Sequence, residues 1–205
     1  MIVTKIETIA KQKYQVEIDE HLVFLLFKNE LMRYSIKENE PLDEKTYEKL
    51  VKKTTKKAKL KAMRLLQQMD RTEKELQMRL LRNGYPEFIA DAAIAYVKSY
   101  GYINDTEYAR RYIDVHKEGK GKLRLMAELC RKGVPNEIAA QALEEMEFED
   151  PKAMIRRLIT EKRRHDSFEN QKELKRTADF LSRRGFQGSD IWSVLKEEST
   201  KGKPI

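Results

Sequence analysis

Five basic doublets stand out where side-chain type and spacing bear on chemistry: Arg110/Arg111, Arg131/Lys132, Arg156/Arg157, Arg163/Arg164 and Arg183/Arg184. A guanidinium or ammonium group on an exposed surface recognises phosphates and carboxylates through charge-assisted hydrogen bonds. Ahead of the doublets, "VKKTTKKAKLKAMR" (51–64) holds seven basic residues, Lys56 and Lys57 among them, and no acid. The net charge of +8 and isoelectric point near 9.3 favour an acidic partner, either nucleic acid or the acidic face of a protein. The bland reading is that exposed helix positions carry Arg and Lys for solubility.

Enzymatic chemistry finds little support. His21, His116 and His165 are isolated, with no His/Cys/Asp cluster at metal-ligand spacing, so no metal and no cofactor is expected. Cys130, the single cysteine, adjoins Leu129 on an apolar helix face and reads as packing rather than as a nucleophile. One cysteine cannot form an intrachain disulfide, which suits a reducing cytoplasm. "KEGKGK" (117–122) lacks the strand and the Ser/Thr of a phosphate-binding loop and reads as a flexible connection. The acidic "EEMEFED" (144–150) reads as a solvated helix end that can answer a basic partner surface. No apolar run approaches the ~20 residues of a membrane span.

These residues must be held by elements, and two periods are visible. "KYQVEID" alternates Tyr14, Val16 and Ile18 with polar neighbours, and 1–27 reads as two or three antiparallel strands. Residues 28–36 read as a helix covering them. From Asp43 the period is helical, with Tyr47, Leu50, Val51, Thr54, Ala58, Ala62, Leu65 and Met69 on one face. Thr72 with Glu75 forms a capping box. Gly84 stops that helix, and Pro86 opens another with Ile89, Ala93 and Val97 inward.

The same order returns twice. Asn104/Glu107, Gly133 and Pro135 punctuate a second copy, and Asp150-Pro151, Asn170/Glu173 and Gly185 a third. The first helices align as "AMRLL" (62–66), "ARRYI" (109–113) and "IRRLI" (155–159). A period of about 46–52 residues with a fixed helix–helix–Gly–helix order marks a helical array whose units stack to complete their cores. Tyr85, Tyr96, Tyr108, Tyr112, Phe186 and Trp192 sit at apolar positions and are expected in those cores, which leaves no stacking aromatics in view.

"RTEKELQMRLLRNGY" (71–85), "SYGYINDTEYARRYI" (99–113) and "LRLMAELCRKGV" (123–134) together resemble the RecX family of bacterial recombination regulators. Three traits carry the resemblance: a Ser/Thr-x-x-Glu-Leu helix, a Lys/Arg-x-Gly stop, and a Gly-Tyr-Ile/Leu-Asp/Asn-Asp-x-x-Tyr/Phe-Ala junction. It is strong over 58–146 and looser over 1–57 and 151–198. A longer loop at 161–171 departs from it.

The resemblance implies a mainly α fold of tandem three-helix repeats in an elongated, curved array behind a small N-terminal β-containing element. The units expected are 1–57, then repeats at 58–102, 103–149 and 150–198, then a tail at 199–205. The chain is expected to be a cytoplasmic, non-enzymatic monomer, and the resemblance implies a role in DNA repair and the SOS response. Such a protein binds the RecA recombinase filament on single-stranded DNA and inhibits strand exchange and coprotease activity. The alternative is a helical nucleic-acid-binding module without a protein target. On either reading the doublets and Lys56/Lys57 are the candidate contacts, since equivalent doublets fall in rows if stacked units keep one orientation.

Overall fold

The computed structural model describes residues 1–163 and 171–201. Strands β1 (Val3–Ala10), β2 (Lys13–Ile18) and β3 (Leu22–Phe27) form an antiparallel meander with β2 in the centre, pairing Val16 with both Ile6 and Phe24. The alternation noted in β2 becomes a buried face, with Val16 and Ile18 joined by Phe24 and Leu26 of β3. A small sheet is marginal in water until something covers that face. Helix α1 (Lys28–Arg33) follows it, and the long α2 (Glu44–Gln68), α3 (Glu73–Arg82) and α4 (Glu87–Ser99) contribute Leu50, Leu76, Leu80 and Ile89 to the same core.

The expected division between residues 57 and 58 falls inside α2, so the sheet and the first three-helix repeat share one core within Met1–Asn104. Asp43 caps α2 by accepting from the Thr46 amide at 2.9 Å. Leu50, Thr54, Ala58, Ala62 and Leu65 are buried as the helical period predicts. Met69, expected to continue that face, is exposed because the backbone has already turned extended at the helix end. The Thr72–Glu75 capping box forms as predicted.

Three equivalent glycines end helices by one device. Gly84, Gly133 and Gly185 have φ of 79°, 91° and 84°. After each, the next residue (Tyr85, Val134 or Phe186) donates its amide to a carbonyl five residues back, on Leu80, Leu129 or Leu181. The glycine itself donates to Leu81, Cys130 or Ser182. This is the six-to-one and five-to-two pairing of a Schellman cap, in which the left-handed residue is favourably glycine. The bulky residue after each glycine joins the core of its repeat, Tyr85 packing against it and Val134 and Phe186 lying within it. Pro86 and Pro135 stand one place earlier than expected, as the residue before the first helical turn.

A second unit begins at Asp105. Helices α5 (Asp105–His116), α6 (Lys122–Arg131) and α7 (Asn136–Glu145) enclose Ala109, Ile113, Leu125, Leu129, Val134 and Leu143. Helices α8 (Pro151–Arg163), α9 (Gln171–Arg183) and α10 (Gly188–Lys201) enclose Ile155, Leu158, Leu181, Ile191 and Leu195. Asp150 caps α8 through the Ala153 amide. The Asn170 part of the cap expected for α9 lies outside the described residues. Helix α10 continues beyond residue 198, where the third repeat was expected to end.

Three expectations about this unit are corrected. Trp192 is 54 % exposed rather than buried, because Ile191, Val194 and Leu195 already complete the inward face of α10. The loop 117–122 is pinned rather than free: Gly121 donates its amide to the Arg184 carbonyl at 2.8 Å, and Arg184 donates to the Gly119 carbonyl at 2.9 Å. Cys130 is only partly buried and its thiol lies 2.9 Å from the Asn136 side-chain oxygen, a tie to the start of the next helix rather than apolar packing.

Candidate nucleic-acid interface

The basic residues divide sharply once their neighbours are known. Arg110 on α5 bridges Glu107 at 2.6 Å and Glu145 of α7 at 2.7 Å. Its hydrogen bond holds the Glu145 carboxyl below the usual range, and Glu145 raises Arg110 in turn. Arg156 on α8 repeats the arrangement with Glu197 of α10 at 2.8 Å. Each of these arginines therefore ties the first helix of its repeat to the third. Arg157 meets Glu149 at 3.0 Å, so the acidic stretch 144–150 answers internal arginines through Glu145 and Glu149 rather than standing as an open acidic face.

Other candidates are also partly committed. Arg184 lies over the Phe180 ring at 4.6 Å in addition to its bond to Gly119. Lys132 sits 5.4 Å from the Tyr112 ring centroid and 5.9 Å from that of Tyr108. Lys57 bonds the buried Glu30, as does Lys53 at 3.0 Å. Burial pushes the Glu30 carboxyl up, but Lys57, the Phe27 amide and Lys53 outweigh it and hold it below its ordinary value. Arg111 is exposed. Arg163 ends α8; its side chain and Arg164 lie outside the described residues.

Three of the predicted residues are exposed and have no carboxylate partner among the described residues: Lys56, Arg131 and Arg183. The last two are equivalent, each being the final residue of the second helix in its repeat. Arg82 ends α3 in the same way, is equally exposed, and completes the set. Sequence reasoning passed over Arg82 because Asn83 follows it, so it forms no doublet. The shared distance to the stop glycine was the signal that identifies it. Helix C-termini favour a cation by the macrodipole, which accounts for the residue type but leaves the charge available to solvent.

Aromatic placement is the second thing the sequence reading missed. Tyr85, Tyr96, Tyr108 and Tyr112 are partly buried and Phe186 is buried, but Tyr100 and Tyr102 are 61 % and 55 % exposed. Their rings stack at 6.0 Å between centroids with 15° between planes. Tyr96 lies beside Tyr100 at 4.9 Å, and the Lys59 ammonium stands 4.4 Å from the Tyr96 ring centroid. Lys59 belongs to α2, where Lys52 and Lys56 precede it on the same side at helical spacing.

No helix among the described residues is long and apolar enough to cross a membrane. Models of the first and second three-helix domains of RecX match residues 58–96 and 104–143. A regulatory protein RecX from Amycolatopsis mediterranei is 36% identical over 148 residues, which cover 70% of this chain and 83% of that protein. One from Caldanaerobacter subterraneus is 28% identical over 198 residues, covering 95% of this chain and 98% of the relative. A crystal structure of a regulatory protein RecX superposes with a TM-score of 0.63 at 20% identity, covering 96% of this chain and 98% of that one. RecX from Lactobacillus salivarius superposes at 0.59 with 22% identity, over 72% of this chain and 98% of its own. The repeat order, the Schellman glycines and these likenesses agree: this chain belongs to the RecX family of regulatory proteins.

Proposed function

We propose that this chain is a non-enzymatic cytoplasmic regulator that binds the RecA recombinase filament on single-stranded DNA and inhibits its recombinase and coprotease activities. The observation that carries the reading is the repeat itself, in a chain whose relatives are named regulatory proteins. Each copy ends its second helix with an exposed arginine, Arg82, Arg131 or Arg183. A repeated, unneutralised cation suits a long polyanionic target, where affinity accumulates from many modest contacts. Arg110 and Arg156 act instead as internal struts, so the binding role passes from the full set of doublets to this subset with Lys56. The chain acts as a monomer on this reading, and neither a metal nor a cofactor enters the action.

The test is the single-stranded-DNA-dependent ATPase of RecA with this protein added. Arg82→Ala/Arg131→Ala/Arg183→Ala is expected to weaken inhibition and to flatten its dependence on salt. Single variants should show graded, additive losses, since distant sites seldom couple. Undiminished inhibition by the triple variant would remove these arginines from the interface. A plain nucleic-acid module would instead bind single-stranded DNA equally well with and without RecA and ATP.

A further inference from the structure

The tyrosines at the end of α4 occupy a position where the other repeats do something else. Counting from the stop glycine, Tyr96 corresponds to Glu145 and Glu197. In the aligned first helices, Met63 corresponds to Arg110 and Arg156. The second and third repeats thus join these two places by an Arg–Glu ion pair, whereas the first has a methionine and a tyrosine there. Both pack on the first core from the outside. Beside them an open hollow of about 210 Å³ is lined by Met63, Leu66, Gln67 and Tyr102.

Local backbone explains how the ladder is presented. α4 ends in a fourth Schellman cap, in which Gly101 (φ 70°) donates to Lys98 and Tyr102 donates to Val97. In the three inter-helix caps the residue after glycine turns inward. Here Tyr102 stays mostly exposed, and the tight turn brings its ring parallel to that of Tyr100. Two exposed, stacked, uncharged rings are a costly surface to leave in water unless they meet a ligand with a flat apolar face. The Tyr96 hydroxyl is pushed up from its ordinary range, chiefly by the neighbouring Tyr100, then by burial and the Tyr100 hydrogen bond.

We propose that Tyr100 and Tyr102, with the adjoining Met63–Leu66–Gln67 hollow and the Lys52–Lys56–Lys59 row, form a base-stacking site for single-stranded DNA on the first repeat. The rings offer stacking faces, which accept any base and demand that the bases be unpaired. The hollow has room for one planar ring, since a cavity of about 150 Å³ already takes a benzene. Gln67 at its wall can donate to and accept from a base edge. The lysine row leads along α2 toward the ladder and gives the charge complementarity that a strand's phosphates require. The choice of DNA as the nucleic acid rests on the function proposed above, whereas the stacking chemistry does not.

The experiment uses the whole chain without recombinase, so that its failure leaves the filament reading standing. Fluorescence anisotropy would follow binding of labelled oligo(dT) of about 16 nucleotides, near the upper site size for such platforms. Tyr100→Ala/Tyr102→Ala is expected to raise Kd at least about fivefold, the lower end for a lost base–aromatic stack. Tyr100→Phe/Tyr102→Phe should bind like the parent, because the ring rather than the hydroxyl stacks. Lys56→Ala should weaken binding and lower the slope of log Kd against log salt. Circular dichroism checks that the variants fold, as expected for exposed side chains. Three results would overturn the proposal: no oligo(dT) binding by the parent, parental affinity in the double alanine variant, or equal affinity for duplex DNA. Tighter binding of oligo(rU) than of oligo(dT) would overturn the assignment to DNA.

Discussion

The first repeat and the two that follow it share a backbone plan and differ in how their first and third helices are joined. In the later repeats Arg110–Glu145 and Arg156–Glu197 lie across that seam. In the first repeat Met63 and Tyr96 take the corresponding places, and the aromatic ladder grows from them. An ion pair neutralises its own surface, so a repeat closed in that way offers little to an anionic partner at the seam. An apolar seam holds no charge of its own, and the rings of Tyr100 and Tyr102 beside it are exposed. One scaffold therefore yields both a self-satisfied unit and a unit with chemistry on its surface, through two substitutions per repeat.

The largest expected effect concerns what the stop glycines press against. A Cβ on Gly185 would stand 2.2 Å from the Arg124 amide nitrogen, and one on Gly121 would stand 2.1 Å from the Gly185 carbonyl oxygen. Both contacts involve backbone that cannot step aside. Gly185→Ala combines that clash with positive φ and should cost about 4 kcal/mol, whereas Gly121→Ala, at an ordinary φ of −78°, should cost about 3 kcal/mol. Gly84→Ala meets only the Leu25 side chain, which can rotate, and should cost about 2 kcal/mol. Thermal unfolding of the three variants ranks them. Equal losses in Gly84→Ala and Gly185→Ala with none in Gly121→Ala would mean that positive φ, and not close approach, governs these sites.

The second effect is on acid stability. Glu128 of α6 is buried and receives Lys120 at 2.7 Å, Arg124 at 2.7 Å and Tyr112 at 3.0 Å. Burial pushes its carboxyl up, but those three hydrogen bonds outweigh burial and hold it down to about 2. A folded value below the unfolded one makes the charged carboxylate stabilising above the unfolded pKa, near 4.3. That stability is lost as pH falls from about 5 toward 2. Discounted for the half-exposed Arg124, it amounts to about 2 kcal/mol. Urea midpoints measured between pH 6 and 3 should fall less steeply in Glu128→Gln than in the parent. Parallel curves would show that other carboxylates control the acid limb.

The smallest expected effect is at the struts. Arg110→Ala and Arg156→Ala remove solvent-exposed pairs, whose contribution to stability is slight and screened by salt. Their melting temperatures should lie close to the parent and closer still at high salt. A large drop would mean that the ion pair, and not the apolar core beneath it, closes the later repeats, and would make the Met63–Tyr96 seam a deficit in the first repeat rather than a replacement.

Much of this molecule is local and was readable from the sequence alone: the strand alternation, the Asp43 cap, the Thr72–Glu75 box and the three stop glycines with their bulky followers. Each depends on residues within about six positions of one another, so short-range spacing suffices to identify it. The periodic faces were readable too, because a residue's place on a helix tells whether it faces a core. What spacing does not tell is which distant residue it meets. Arg110 and Arg131 look alike in a list of doublets. One is bound to a carboxylate 35 positions along the chain, while the other stands exposed with none among the described residues. Trp192 and Tyr102 are as apolar as their buried counterparts, yet they lie outward because Ile191, Val194, Leu195 and Val97 had already filled the available interior. Charge neutralisation and the assignment of aromatic rings to core or surface are contests among partners far apart in sequence, and only the folded packing decides them.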